Sequence, residues 1–154
     1  TARLVPLYFK REISRHTISD NFYIMQGRSN TAKKLLLKQW LDSHFNSTTL
    51  LVYIFFDREG GCLYTGRTGQ GGKRPLAHFD KNWISLTGFL RVFEVKNRSQ
   101  LYKLECLAMH HFHPRTSRRK PCRARHTKAC PVCAKHRQLA KAVKSLFLKD
   151  GRKR

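Results

Sequence analysis

Four side chains in the middle of the sequence have the types and spacing needed to bind a phosphate and move a proton. Tyr53 and Tyr64 lie in two apolar segments, and Arg74 and His78 follow, four residues apart. That spacing places Arg74 and His78 on one face of a helix. A guanidinium can bind a phosphate through two hydrogen bonds, and a phenol or an imidazole can accept or relay a proton.

These side chains need a small sheet and a short helix to bring them together. Residues 50–56 are rich in β-branched and aromatic side chains and predict a strand, and residues 62–65 predict a second one. The turn at 57–61 ends in Gly-Gly, which predicts an open or bulged hairpin. Alternation along the paired strands would direct both phenols into one pocket. A Gly-rich loop follows, and then a short helix with Pro75 in its first turn.

Further elements flank this hairpin. Residues 89–95 predict a third strand, and residues 31–45 predict a helix capped by Ser29 or Asn30. A later helix begins after Ser99, a good N-cap, and ends at Pro114. The expected fold class is α+β, with a small three-stranded antiparallel sheet flanked by helices. Residues 1–48 are expected to form an arm and a helix packing on a core of residues 49–114, with a basic extension over residues 115–154.

An acidic residue falls within the apolar stripe of the later helix. Glu105 lies four residues after Leu101 and three before Ala108, both of which belong to that stripe. A buried carboxylate is costly without a partner. Three explanations are open: a salt bridge to a Lys or Arg, partial exposure at the edge of the stripe, or a bound divalent cation.

The order and spacing of these residues resemble the catalytic half of the GIY-YIG nuclease family. Residues 51–53 (LVY) stand at the first motif and residues 64–66 (YTG) at the second, followed by Arg74, His78 and Glu105. The resemblance implies that Glu105 binds Mg²⁺ or Mn²⁺, an ion commonly held by few carboxylates together with water and phosphate. It also implies a divalent-metal-dependent DNA endonuclease, of a mobile-element, restriction or structure-specific kind.

The resemblance also implies roles for the tyrosines. Tyr53 would be the base or proton relay and Tyr64 would orient the attacking water, while on chemistry alone His78 is a rival base because it titrates nearer neutrality. Arg74 would stabilise charge on the scissile phosphate. Arg67 and Lys73 are expected to contact neighbouring phosphates.

The charge of the chain indicates a polyanionic partner. Among 154 residues, 32 Lys and Arg oppose nine Asp and Glu, a formal net charge of +23. DNA is the expected partner; nothing in the sequence separates it from RNA. A non-catalytic, basic nucleic-acid-binding module is the alternative function. With no long apolar run, no membrane partner is expected, and the predicted location is intracellular, nuclear if eukaryotic. The basic residues of the extension expected to bind nucleic acid are Arg118, Arg119 and Lys120.

The cysteines of the last third suggest zinc. Cys130 and Cys133 form a Cys-x-x-Cys pair, and Cys122 and His136 would complete a tetrahedral structural site. His113 and His126 are alternative fourth ligands. The remaining cysteines, Cys62 and Cys106, are interpreted as buried small hydrophobic residues.

Overall fold

Helices and strands are mixed along the chain in the computed structural model, which describes residues 4–116 and 130–150. The helices are α1 (Leu4–His16), α2 (Asn30–His44), α3 (Lys73–Leu76), α4 (Arg98–Phe112) and α5 (Pro131–Asp150), with short 3-10 helices at Ala77–Asp80 and Asn82–Leu86. The strands are β1 (Thr17–Ile24), β2 (Leu51–Asp57), β3 (Cys62–Thr68) and β4 (Thr87–Val95). The α+β class is therefore confirmed.

The sheet has four strands in the order β1-β4-β2-β3, all antiparallel, so the prediction of three strands was wrong. The additional strand, β1, falls within residues 1–48. It was left out of the predicted sheet because it is an edge strand in which only Tyr23 is buried, while Ile18, Phe22 and Ile24 are exposed. An edge strand carries little of the apolar signal by which central strands are recognised.

Helices cover both faces of the sheet. Val52 and Ile54 of β2 pack against Leu104 of α4 on one face, which we call the α4 face. Tyr53 and Phe55, which alternate with them, pack with the helix α2 on the other, the α2 face. Because β2 is covered on both sides, Leu51 to Phe56 are all buried.

The termini of the helices and the hairpin are fixed by local hydrogen bonds. Ser29 caps α2 by accepting a bond from the Ala32 amide at 3.1 Å, as expected. The cap of α4 is Asn97 and not Ser99, so this helix begins earlier than predicted. The β2–β3 register shifts between Phe55 and Phe56, which agrees with the bulged hairpin expected.

Candidate functional site

The two tyrosines lie on the α2 face near the edge strand β3. Tyr53 is paired with Gly66 across the β2–β3 ladder, and Tyr64 is paired with Phe55 on the same face. The ring of Tyr53 crosses directly over Gly66: a Cβ added to this glycine would lie 2.6 Å from both Cζ and Oη of Tyr53. The missing side chain at Gly66 is therefore what lets the phenol extend across β3 towards the edge of the sheet.

His78 meets the end of the Tyr53 side chain. It lies in the 3-10 helix directly after α3, and its Nε2 is 2.9 Å from the Tyr53 Oη. The Tyr64 ring packs on the imidazole with centroids 4.3 Å apart. The guanidinium of Arg74 in α3 is near enough to Tyr53 for its charge to act on the phenol. The structure thus brings together Tyr53, Tyr64, Arg74 and His78, as the sequence predicted.

The electrostatics of the pair determine which group carries the proton. Burial, together with the charges of Arg74 and Lys81, lowers the pKa of His78 to about 4, so the imidazole is neutral near pH 7. Burial also raises the pKa of Tyr53 well above its usual value, and the Arg74 charge offsets this only in part. Near pH 7 a protonated phenol therefore lies beside a neutral imidazole, and Nε2 accepts the phenol hydrogen in the tautomer that carries its ring proton on Nδ1.

Glu105 lies on the other side of the sheet from this group. It belongs to α4, it is 2% exposed, and its carboxylate forms an ion pair with Arg67, which faces the α4 face opposite Val52. Of the three explanations left open by the sequence, the salt bridge is the one observed, and partial exposure was wrong. The Arg67 guanidinium also stacks on Tyr102, 4.4 Å from the ring centroid.

Glu105 is near enough to the tyrosines for its charge to act on Tyr53. Burial is the main cause of the raised pKa of Tyr53, and the Glu105 charge adds to it, so that charge acts across β3. Arg67, expected to contact phosphate, is engaged by Glu105 instead. Lys73 and Arg74 are exposed at the start of α3. Three residues predicted to bind nucleic acid, Arg118, Arg119 and Lys120, lie outside the described residues.

A second group of side chains could hold a metal ion such as zinc. Cys106, His110, Cys130 and Cys133, which we call the Cys/His cluster, are all buried, and their ligand atoms lie within 4.8 Å of one another. Cys133 Sγ is 3.3 Å from Cys106 Sγ and 3.1 Å from His110 Nε2. In a tetrahedral Cys₃His zinc site, Zn–S near 2.3 Å and Zn–N near 2.0 Å separate the ligand atoms by about 3.5–3.8 Å, so a bound ion would move these atoms apart by a few tenths of an ångström.

Two helices supply these four ligands. Cys106 and His110 are four residues apart on α4 and therefore share one face. Cys130 immediately precedes α5, where its carbonyl accepts the Ala134 amide at 3.0 Å, and Cys133 lies in the first turn. Hydrogen bonds from Cys106 and Cys133 lower the pKa of Cys130, and the hydrogen bonds to Cys130 and Cys133 together with burial raise the pKa of Cys106, so Cys130 is the thiolate of the group and Cys106 the thiol.

The predicted zinc ligands are only partly those of the cluster. Cys130 and Cys133 belong to it, whereas Cys122 and the alternative His126 lie outside the described residues, and nothing of the His136 side chain is described. His113 is exposed beyond the end of α4 and is not in the cluster. Cys106 is buried as predicted, but it is also one of the four potential metal ligands of the cluster. The missed signal was the Cys-x-x-x-His spacing of residues 106–110, which places two ligand types on one helical face.

No family model, no curated protein and no solved structure matches this chain. Within residues 4–116 and 130–150, no helix combines the length and the apolar character needed to cross a membrane.

Proposed function

We propose that the protein is a divalent-metal-dependent endonuclease that hydrolyses DNA phosphodiester bonds by a GIY-YIG-type mechanism. The observation that carries the proposal is the hydrogen bond between Tyr53 and His78, in contact with Arg74, beside the edge strand β3. A buried phenol–imidazole pair next to an exposed guanidinium provides a proton path and a phosphate ligand in one place.

The proton path follows from the protonation states of the pair. As a water attacks phosphorus, the Tyr53 oxygen accepts the proton of the water while the phenol hydrogen passes to the neutral Nε2 of His78. Tyr64, packed against the imidazole, orients the water. Arg74 binds the non-bridging oxygens and stabilises their charge as the bond to the 3′-oxygen breaks.

Glu105 is the side chain that would bind a catalytic cation. Among the described residues, the Cys/His cluster is the only group of three or more potential ligands, so Mg²⁺ or Mn²⁺ would have one protein carboxylate, completed by water and phosphate oxygens. A carboxylate has two oxygens and about four acceptor positions. A cation on Glu105 would lie on the α4 face, so it would act on the phosphate bound by Arg74 only if the DNA backbone bridges the edge strand β3 and Arg67 shares the carboxylate or gives it up. When bound, the cation would supply Lewis acidity and stabilise the leaving oxygen.

Zinc is the metal that the Cys/His cluster fits best. Three thiol sulfurs and one imidazole nitrogen make a closed Cys₃His donor set, which is the composition of structural zinc sites. Burial of all four residues leaves little access for a substrate. In this proposal zinc joins the start of α5 to α4.

One observation favours a second function, that of a non-catalytic nucleic-acid-binding module. Glu105 is buried on the α4 face and neutralised by Arg67, an arrangement that a structural ion pair would also have. The charge of +23 favours binding to phosphates in either case. Both functions predict DNA binding that weakens with salt, and only the first predicts cleavage.

Plasmid nicking separates the two functions. Supercoiled DNA is incubated with the protein and Mg²⁺ or Mn²⁺, and nicked product is followed on a gel. Wild-type protein should nick the plasmid, and Arg74→Gln and Tyr53→Phe should each reduce the rate at least about 100-fold, as loss of a transition-state contact or a proton-transfer group does. Glu105→Gln should abolish the metal-dependent nicking.

The matched control variants remove the same charges at positions outside the proposed site. Arg58→Gln and Glu94→Gln remove the same charges from a turn residue and from a partly exposed residue of β4, and should nick at the wild-type rate. Equal DNA affinity of all variants at low salt would show that chemistry, not binding, was lost. Absence of nicking with both metals would refute the enzyme and leave the binding module. Unchanged nicking by Arg74→Gln would refute the role given to Arg74.

A further inference from the structure

The side chains described in the last helix are buried at its start and exposed further along. Its first turn is anchored, with Cys130, Val132 and Cys133 buried in the core. From Lys135 onward, every side chain of α5 that the structure describes is exposed, including Leu139 with 62% of its surface accessible. A helix of 20 residues is about 30 Å long. The exposed side chains described along that length are therefore available for a partner.

The composition of α5 indicates the chemistry of that partner. The helix contains five Lys and Arg and one acidic residue, Asp150. Lys135, Lys141 and Lys144 are all exposed. Lys135 and Lys144 are nine residues apart, which places them on opposite sides of the helix, with Lys141 between them. A helix lying in the major groove of DNA, about 12 Å wide, has a phosphate backbone on each side.

We propose that α5 is an arm that binds duplex DNA in a groove and that the Cys/His cluster clamps this arm to the core. The three lysines contact phosphates on both strands, and the metal-bound cluster fixes the angle at which the helix leaves α4. The inference deepens the proposed function by naming the element that holds the substrate, but it requires DNA binding only and does not require cleavage.

The first test measures binding of a fluorescent 20-base-pair duplex by anisotropy without Mg²⁺ or Mn²⁺. The triple variant Lys135→Gln, Lys141→Gln, Lys144→Gln should lose affinity at least about tenfold. Each lost phosphate contact reduces the salt slope by about 0.9, so the fall in affinity between about 50 and about 200 mM salt should become roughly 40-fold smaller. The matched control substitutes three exposed lysines elsewhere, and these are Lys34, Lys38 and Lys96.

The comparison of the two triple variants decides whether α5 is the DNA-binding arm. Equal losses in both would mean that total charge alone matters and would overturn the proposal. So would a triple α5 variant that binds DNA like wild type, or one whose only deficit is in binding to anionic phospholipid vesicles. Because these measurements omit the catalytic cation, a protein that binds through α5 but never cuts would refute the proposed nuclease and leave this inference intact.

The clamp is tested separately with Cys133→Ser. This variant should lose its metal and should bind DNA as weakly as the lysine triple, and adding the lysine substitutions should cause little further loss. Cys62→Ser removes a buried thiol outside the cluster and should keep both metal and affinity. Metal-free Cys133→Ser that is folded by circular dichroism and binds at full affinity would overturn the clamp.

Discussion

A single methyl group at Gly66 should disrupt the contact on which the proposed chemistry depends. In Gly66→Ala the new Cβ would lie 2.6 Å from Cζ and Oη of Tyr53, so the buried ring must move. Overpacking of this kind costs about 1–3 kcal/mol, and a displaced phenol that loses its partner His78 costs about another 1 kcal/mol. We expect the free energy of unfolding to fall by about 2–4 kcal/mol.

Urea denaturation and thermal melting measure this effect. For a domain of this size, each kcal/mol lowers the Tm by about 2–4 °C, so a drop of roughly 5–15 °C is expected. Nicking by Gly66→Ala should also fall, because Tyr53 and His78 separate. DNA binding should change little, since no charge is altered.

Gly69→Ala is the matched control. It lies just beyond β3, and a Cβ there would meet its nearest neighbour, a Leu50 side-chain atom, at 3.4 Å, which is an ordinary contact. This variant should be neutral or stabilised by up to about 1 kcal/mol through the unfolded state. If Gly66→Ala matched Gly69→Ala within about 0.5 kcal/mol, the close approach of Tyr53 to the strand would not exist as described.

Three further predictions concern protonation, metal and charge. The pKa of His78 is lowered to about 4 from about 6.5, so as the pH falls its imidazole takes up a proton in the unfolded state before it does so in the folded state. The free energy of unfolding should therefore fall by about 2 kcal/mol between about pH 7 and about pH 5. Urea titrations of His78→Gln should not show this fall. Elemental analysis of purified protein should find about one zinc per chain, which Cys133→Ser loses and Cys62→Ser retains; zinc retained by Cys133→Ser would remove the site. Glu105→Gln should lower the free energy of unfolding by about 3–5 kcal/mol by leaving Arg67 unpaired, whereas Glu105→Gln with Arg67→Gln should recover part of that loss; equal losses would show that no ion pair is involved.

The parts of the fold that follow from local sequence were predictable. The β2–β3 hairpin combines a β-branched strand with Gly-Gly at the turn, and the spacing of Arg74 and His78 needs only one helical turn. The cap of α4 shows the limit of this reasoning. Asn97 and Ser99 are both good capping residues, and the local sequence does not decide between them, whereas the structure has Asn97 as the cap.

The rest depends on contacts between distant segments. Cys106 sits among apolar residues of α4 and has the pattern of a core residue; its role beside Cys133 arises only when α5 is brought to α4. Glu105 was correctly expected to be buried, but the choice of Arg67 as its partner depends on the pairing of β3, which places that guanidinium on the α4 face. Strand β1 needs β4 beside it before its residues are recognisable as a strand.

The exposed apolar side chains of β1 also affect how the protein behaves in solution. Ile18, Phe22 and Ile24 line a strand at the edge of the sheet, and such edges promote self-association between copies of a chain. Mutual repulsion at a net charge of +23 opposes that association. Salt weakens that repulsion, since the screening length is about 10 Å at 0.1 M. Purification at high ionic strength therefore removes the protection that the net charge gives against aggregation.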